Sequence, residues 1–125
     1  MRFMSIYRKA ETNAPPLPDE MARMQTFTEE MTKAGVLLAS GGCLPSALGA
    51  KVRSDKGKFS VTDGPFIETK EITVGFAILE CHSKEHAVEM AKKFLAVAGG
   101  EGECEVRQMF TGFEGCAGES AAKAA

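Results

Sequence analysis

Residues 61 to 71 read VTDGPFIETKE and gather three carboxylates, Asp63, Glu68 and Glu71, with Lys70 around an Asp-Gly-Pro turn. An aspartate fixed by a rigid turn beside other carboxylates has the ingredients for a raised pKa, and so for proton transfer near neutral pH. In that chemistry Asp63 is the general acid or base, Glu71 or Glu68 tunes it, and Lys70 steadies a developing oxyanion. The same residues also make a complete structural turn. Asp63 can accept a hydrogen bond from the backbone two residues ahead, Gly64 tolerates unusual dihedrals, and Pro65 fixes the corner. Phe66 then buries a ring, while Glu68, Lys70 and Glu71 stay solvated. In an extended segment Glu68 and Lys70 share a face, whereas in a helical turn Glu68 and Glu71 converge. Spacing does not choose between these geometries.

Other chemistry-bearing residues are sparse. His82 and His86 stand four apart, a spacing that puts two metal ligands on one helical face. Ser83, however, reads as the N-cap of a helix, so His82 precedes it and the shared face is lost. Two histidines without a third ligand point to no metal site. Nucleophile-elbow, phosphate-loop and dinucleotide motifs are missing, and no cofactor is expected. The glycine-rich stretch ASGGCLPSALG, residues 39 to 49, offers backbone N–H groups and the Ser40 and Ser46 hydroxyls at a strand's end. Such loops either rim a binding site or merely connect. Of the four cysteines, Cys81 and Cys104 fall in strand-like runs and read as small buried residues, while Cys43 lies in the loop and Cys116 in the tail. None forms a CxxC pair.

The chain that must position these residues has 125 of them, enough for one domain. Apolar residues make up 44% and charged ones 26%, a globular composition that argues against disorder. A net charge of −2 with no basic block gives no footprint for nucleic acid. The opening apolar stretch is too short for a signal peptide or a membrane span, so a soluble cytoplasmic protein is expected.

Residues 2 to 8 read as a strand, and three prolines break the segment that follows. Asp19 is the expected N-cap of a first helix. Met21, Met24, Phe27, Thr28, Met31 and Ala34 recur on one face of it, and Gly35 stops it. Residues 36 to 40 form a buried strand. Residues 50 to 62 form a hairpin about SDKGK, with Val52, Phe59 and Val61 pointing inward and Lys51, Arg53, Lys58 and Ser60 outward. Residues 73 to 81 are the strongest strand. Ser83 caps a second helix that buries Ala87, Met90, Ala91, Phe94 and Leu95, and residues 104 to 110 close the order.

That order, β-α-β-(hairpin)-β-α-β, predicts an α+β fold: a ferredoxin-like sandwich with two helices on one face of an antiparallel sheet. The domain spans residues 1–112, with 113–125 as a flexible tail. The other sheet face needs a partner if it carries Phe3, Val74, Phe76 or Ile78, and a symmetric homodimer is the simple solution.

The stretch DGPFIETKE, residues 63 to 71, resembles the DGPFAETKE signature of the DGPF group of YCII-related proteins at eight of nine positions, with Ile67 in place of the alanine. Agreement extends over about residues 2 to 110: a helix ending in AGVL, a Gly-Gly loop with proline, a KVR hairpin, VGFAILE and a closing EVRQMF. The resemblance implies a dimer of the α/β-barrel type, with a small-molecule cleft between helices and sheet in each protomer. Related families include isomerases, dehydrochlorinases and small monooxygenases that work without metal or organic cofactor. Some relatives are linked to extracytoplasmic-function sigma factors, which implies a regulatory role. The wider group is credited with a His–Asp pair. This sequence departs there, since His82 and His86 sit at the second helix. The resemblance carries over the motif itself, Asp63, Gly64, Pro65, Phe66, Glu68, Thr69, Lys70 and Glu71, with Gly41, Gly42 and Pro45 as its rim. Of these, Asp63, Lys70 and Glu71 are the candidate catalytic groups on the proton-transfer reading, and Gly42, Pro45, Phe66 and Glu68 the candidate substrate-binding ones.

Two functions follow. One is a cofactor-free enzyme moving a proton on a cyclic or aromatic metabolite. The other is a non-catalytic ligand-binding or regulatory module in which the signature is a clamp.

Overall fold

Strand β1 (Arg2–Lys9) alternates cleanly: Phe3 and Ser5 are buried, while Met4 and Ile6 are only half covered. Period-two alternation of this kind marks a strand between a packed face and an open one. The computed structural model describes residues 1–12, 14–67 and 69–112. Within them follow α1 (Pro18–Lys33), β2 (Leu37–Gly42), β3 (Ala50–Asp55), β4 (Lys58–Asp63), β5 (Ile72–Glu80), α2 (Lys84–Ala98) and β6 (Glu103–Gln108). A single 3₁₀ turn, Ser46–Leu48, lies within the glycine-rich loop.

Four strands form one antiparallel sheet in the order β2-β5-β1-β6, and β3 and β4 make a separate two-stranded sheet. With the hairpin set aside, this is the ferredoxin-like arrangement that the element order predicts. Both helices lie against the face that carries Phe3, with α1 near β2 and α2 near β1 and β6. The opposite face carries Met4 and Ile6 beside their cross-strand partners Ile78 and Phe76.

Helix α1 begins at Pro18 rather than after Asp19. Proline suits a first helical position because its missing N–H would have no partner there, and the Leu17 N–H donates to the Glu20 carboxylate at 2.8 Å. Helix α2 is capped as its sequence indicates, with Ser83 Oγ accepting from the His86 N–H at 3.0 Å.

The packed core sits at one end of the sheet. Phe3 (1% exposed), Leu79, Cys81 and Ala87 form it, with Val36, Leu37, Ala77, Met90 and Val106 against them. Phe3 therefore faces the helices, and the open face is left to Met4, Ile6, Phe76 and Ile78. At the Tyr7 end the helices stand off the sheet, and no residue of α1 is fully buried. Met21 and Ala34, read as part of the helix's packed face, are exposed.

The hairpin departs furthest from expectation. Lys56 and Gly57 both take positive φ, 51° and 82°, giving the two-residue turn that strand twist favours. Yet Val52, Phe59 and Val61 are 68%, 77% and 64% exposed. The hairpin pairs only with itself, so nothing within the described chain covers its apolar side.

Candidate functional site

Strand alternation places Ser5 and Tyr7 of β1 on the helix side, and Gly75 and Ala77 of β5 lie opposite them in register. Above them α1 contributes Met24, Phe27 and Met31, and α2 contributes Met90 and Phe94. The result is a chamber of about 290 Å3 between helices and sheet, and among the described residues no charged side chain lines it. Tyr7 meets Phe94 edge-on, with ring centroids 4.9 Å apart and planes at 82°, and Phe27 lies 6.4 Å beyond. A wider groove of about 1120 Å3 shares Tyr7, Met24, Thr28 and Val74 with the chamber. It runs out between the proline segment before α1 and the loop at Cys43–Pro45. Chamber and groove thus form one cleft, apolar inside and polar at its mouth, where Lys9, Glu11, Glu20 and Glu29 stand.

Burial pushes the Tyr7 phenol above its usual value, and a negative charge on Cys104 would push it the same way. The Cys104 thiol is raised by burial too, partly offset by its hydrogen bond with Ser5. Cys81 is raised for the same first reason, burial. Both therefore behave as small, protonated core residues, while Cys43 is exposed.

The signature segment sits at the other side of the loop. Its centre is Ser46, which is almost fully buried at 6% exposure. The Ser46 N–H and hydroxyl both donate to the Glu11 carboxylate at 2.6 Å. These two bonds hold the Glu11 carboxyl below its ordinary value. Ser46 Oγ also accepts from the Phe66 N–H at 3.2 Å, and the Gly64 N–H donates to the Gly49 carbonyl at 3.0 Å. The Gly64–Pro65 peptide is cis, and Gly64 packs directly on the Ser46 carbonyl. A Cβ at Gly64 would stand 1.6 Å from that oxygen, so the contact admits only glycine. Past the turn, Thr69 bonds back to the Phe66 carbonyl through both N–H and hydroxyl, at 3.3 and 3.0 Å. Lys51 of the hairpin lies 4.6 Å from the centre of the Phe66 ring. A cation over an aromatic face is attracted by the ring's quadrupole.

With this geometry in place, the comparison with known proteins is decisive for the family. A model of the YCII-related domain matches residues 1–110. The chain belongs to the YCII-related family. It is also similar to an uncharacterized protein of Rhizobium meliloti (strain 1021), R00369, at 30% identity over 89 residues, 71% of this chain and 72% of that protein.

Within this YCII-related domain the residues singled out from sequence fall into separate places. Pro45, Phe66 and Glu71 line one recess of about 550 Å3, together with Arg8, Ser46 and Thr69. Gly42 lines the chamber instead. Asp63 ends β4, paired with Ala50, and is exposed, as is Lys70. Neither is among the residues that line the chamber, groove or recess. Glu68 lies outside the described residues, as do the tail from residue 113 and its Cys116. The histidines meet despite the cap between them: the rings stack 4.1 Å apart, and the His82 N–H reaches His86 Nδ1 at 3.3 Å. His82 lies just outside α2, but its ring folds back over the first turn. Among the described residues no group of three or more His, Cys, Asp or Glu is placed to hold a metal ion. No described helix is long and apolar enough to cross a membrane.

Glu11 and Tyr7 carry the geometry but are not marked as a site by the sequence, whereas Ser46 is one of two hydroxyls in a loop that reads either as a binding-site rim or as a connector. Glu11 sits in an aperiodic proline segment that gives no signal of what it touches. Ser46 was visible as a hydroxyl at a strand's end. Tyr7 lies in the run that reads as the first strand, which does not say what it faces.

Proposed function

We propose that this YCII-related protein binds a small, largely apolar molecule in the cleft between helices and sheet, and that its signature segment clamps the loop forming the mouth. The observation that carries this reading is the uncharged chamber of about 290 Å3 opening into a polar groove. Pockets of roughly 300 Å3 and above, mainly apolar with a few polar groups, are the usual form of small-molecule sites. The clamp reading is supported by Gly64, whose contact leaves no room for a side chain, and by Ser46, which joins three segments. A thermal-shift screen of metabolites tests it. Compounds that raise the melting temperature should lose that effect in Ala77→Leu, which fills the chamber wall. Hits that stabilise both proteins alike would sink the reading.

A second reading is a cofactor-free proton-transfer enzyme acting on a cyclic or aromatic metabolite. It is favoured by Glu71, which lines the same recess as Arg8, Phe66 and Thr69. Here Asp63 would be the acid or base, Glu71 and Glu68 would tune it, and Lys70 would stabilise the oxyanion. A compound whose covalent structure changes with wild-type protein, but not with Asp63→Asn at unchanged melting temperature, would establish it. Loss of stability in Asp63→Asn would count against it.

We also infer a soluble, cytoplasmic homodimer joined through the open sheet face. The support is the apolar row Met4, Ile6, Phe76 and Ile78, with Phe76 44% exposed. Replacing Phe76 by Asp should convert the dimer to monomer in light scattering at micromolar concentration. A wild-type monomer under those conditions would rule the dimer out.

A further inference from the structure

Tyr7 occupies the junction of the cleft, lining both the inner chamber and the outer groove. Its ring is fixed from two sides. Phe94 meets it edge-on, and Gly102 lies so close that a Cβ there would stand 2.7 Å from the ring and 3.2 Å from the hydroxyl. The phenol oxygen lies in the plane of that ring, so its position is set before any ligand arrives. Among the described residues the hydroxyl makes no hydrogen bond, and no side-chain polar atom is sealed away without a partner. Tyr7 thus brings a fixed, unengaged donor to the wall that chamber and groove share. The other hydroxyls of the chamber are less prepared: Ser5 is engaged with Cys104, and Thr28 and Ser40 turn about a single bond on α1 and the edge strand.

We propose that Tyr7 is the donor that selects the ligand of this cleft, and that the ligand is an uncharged, flat, aromatic-sized molecule with one acceptor oxygen. This rests on the reading of the cleft as a ligand site. Aromatic rings and methionines wall the chamber, which favours a flat apolar body. Among the described residues no charged side chain lines it. Lys9, whose ammonium stands 5.9 Å from the centre of the Tyr7 ring, lines the outer groove and not the chamber. A carboxylate inside the chamber would therefore lose its water without gaining a partner. A carbonyl or similar oxygen loses far less and can accept from the phenol. A phenol is protonated, and so a donor, through the neutral range, and burial pushes its pKa further up. A donor held in place loses little freedom on binding, which is why it discriminates well.

The test uses three probes of one shape, 2-acetylnaphthalene, 2-naphthoate and naphthalene, titrated calorimetrically into the wild-type protein and into Tyr7→Phe. Wild type should bind the ketone about tenfold more tightly than the carboxylate. Tyr7→Phe removes only the hydroxyl, so it should keep the melting temperature. It should weaken the ketone about five- to tenfold and leave naphthalene unchanged. Gly102→Ala, which displaces the ring, should weaken the ketone in the same selective way. If Tyr7→Phe weakens all three probes alike, or none, the selecting role is overturned while the cleft remains a binding site. If no probe binds wild type, or binding survives Ala77→Leu, the cleft reading falls and this inference with it.

Discussion

The cleft and the signature segment lie on opposite sides of one loop and differ in almost every physical respect. The cleft is lined inside by rings, methionines and glycines, with no charge among the described residues and with room left between helices and sheet. The segment from Asp63 to Glu71 is rich in charge, yet its tight contacts are made by backbone and by Gly64, Phe66 and Thr69. Its aspartate and lysine face outward. On the clamp reading proposed above, a motif that looks chemical in sequence serves largely to hold backbone. The space able to hold a molecule is built from residues that look like ordinary core. Charge marks where water is, whereas a cavity is marked only by packing that stops short, and that depends on how separate elements meet.

The sharpest way to break this contrast is Gly64→Ala. Its methyl would collide with the Ser46 carbonyl, so the loop must undock, at about 3 kcal/mol or more in urea denaturation. A near-neutral result would mean that the segment is not a clamp. Ser46→Ala should come next. It removes the hydroxyl bonds to Glu11 and Phe66 from an almost fully buried position, at about 2 kcal/mol.

A pH effect separates the two sides of the loop further. Glu11 has a folded pKa below its unfolded value of 4.5, because Ser46 donates two bonds to the ionised form. Its contribution is therefore complete above 4.5 and is lost as pH falls through the lower folded value. The stability gap between wild type and Glu11→Gln should be widest near neutrality and shrink below pH 4.5. A gap that stays constant down to the acid transition would show that the Glu11–Ser46 contact does not contribute. The smallest effect should be Asp63→Asn, within about 0.5 kcal/mol in the same denaturation experiment, since the side chain is exposed. A larger loss would place Asp63 inside the clamp and sharpen the boundary between the two regions.

Much of the fold was legible because it rests on local rules. The aromatic and β-branched run of β1, the Ser83 cap, the SDKGK turn and Gly35 after the first helix all act within a few residues. Where those signals were ambiguous the boundaries moved: Pro18 rather than Asp19 opens α1, and β2 runs on to Gly42. The hairpin's inward face was misread for a different reason. Period-two alternation states that one side is apolar, but not that anything in the same chain will cover it.

The sequence by itself determined the family, through the DGPFIETKE stretch and the order of strands and helices, and it determined which residues can titrate. Only the tertiary structure decided which of them matter together. Glu11 and Ser46 are 35 positions apart, and Ser46 and Phe66 are 20 apart, yet they share one hydrogen-bonded junction. Tyr7 and Phe94 come from opposite ends of the domain to wall one cavity. Contacts of that separation follow from how sheet and helices pack. A linear pattern can fix the face a residue lies on, but it cannot say what stands across from it.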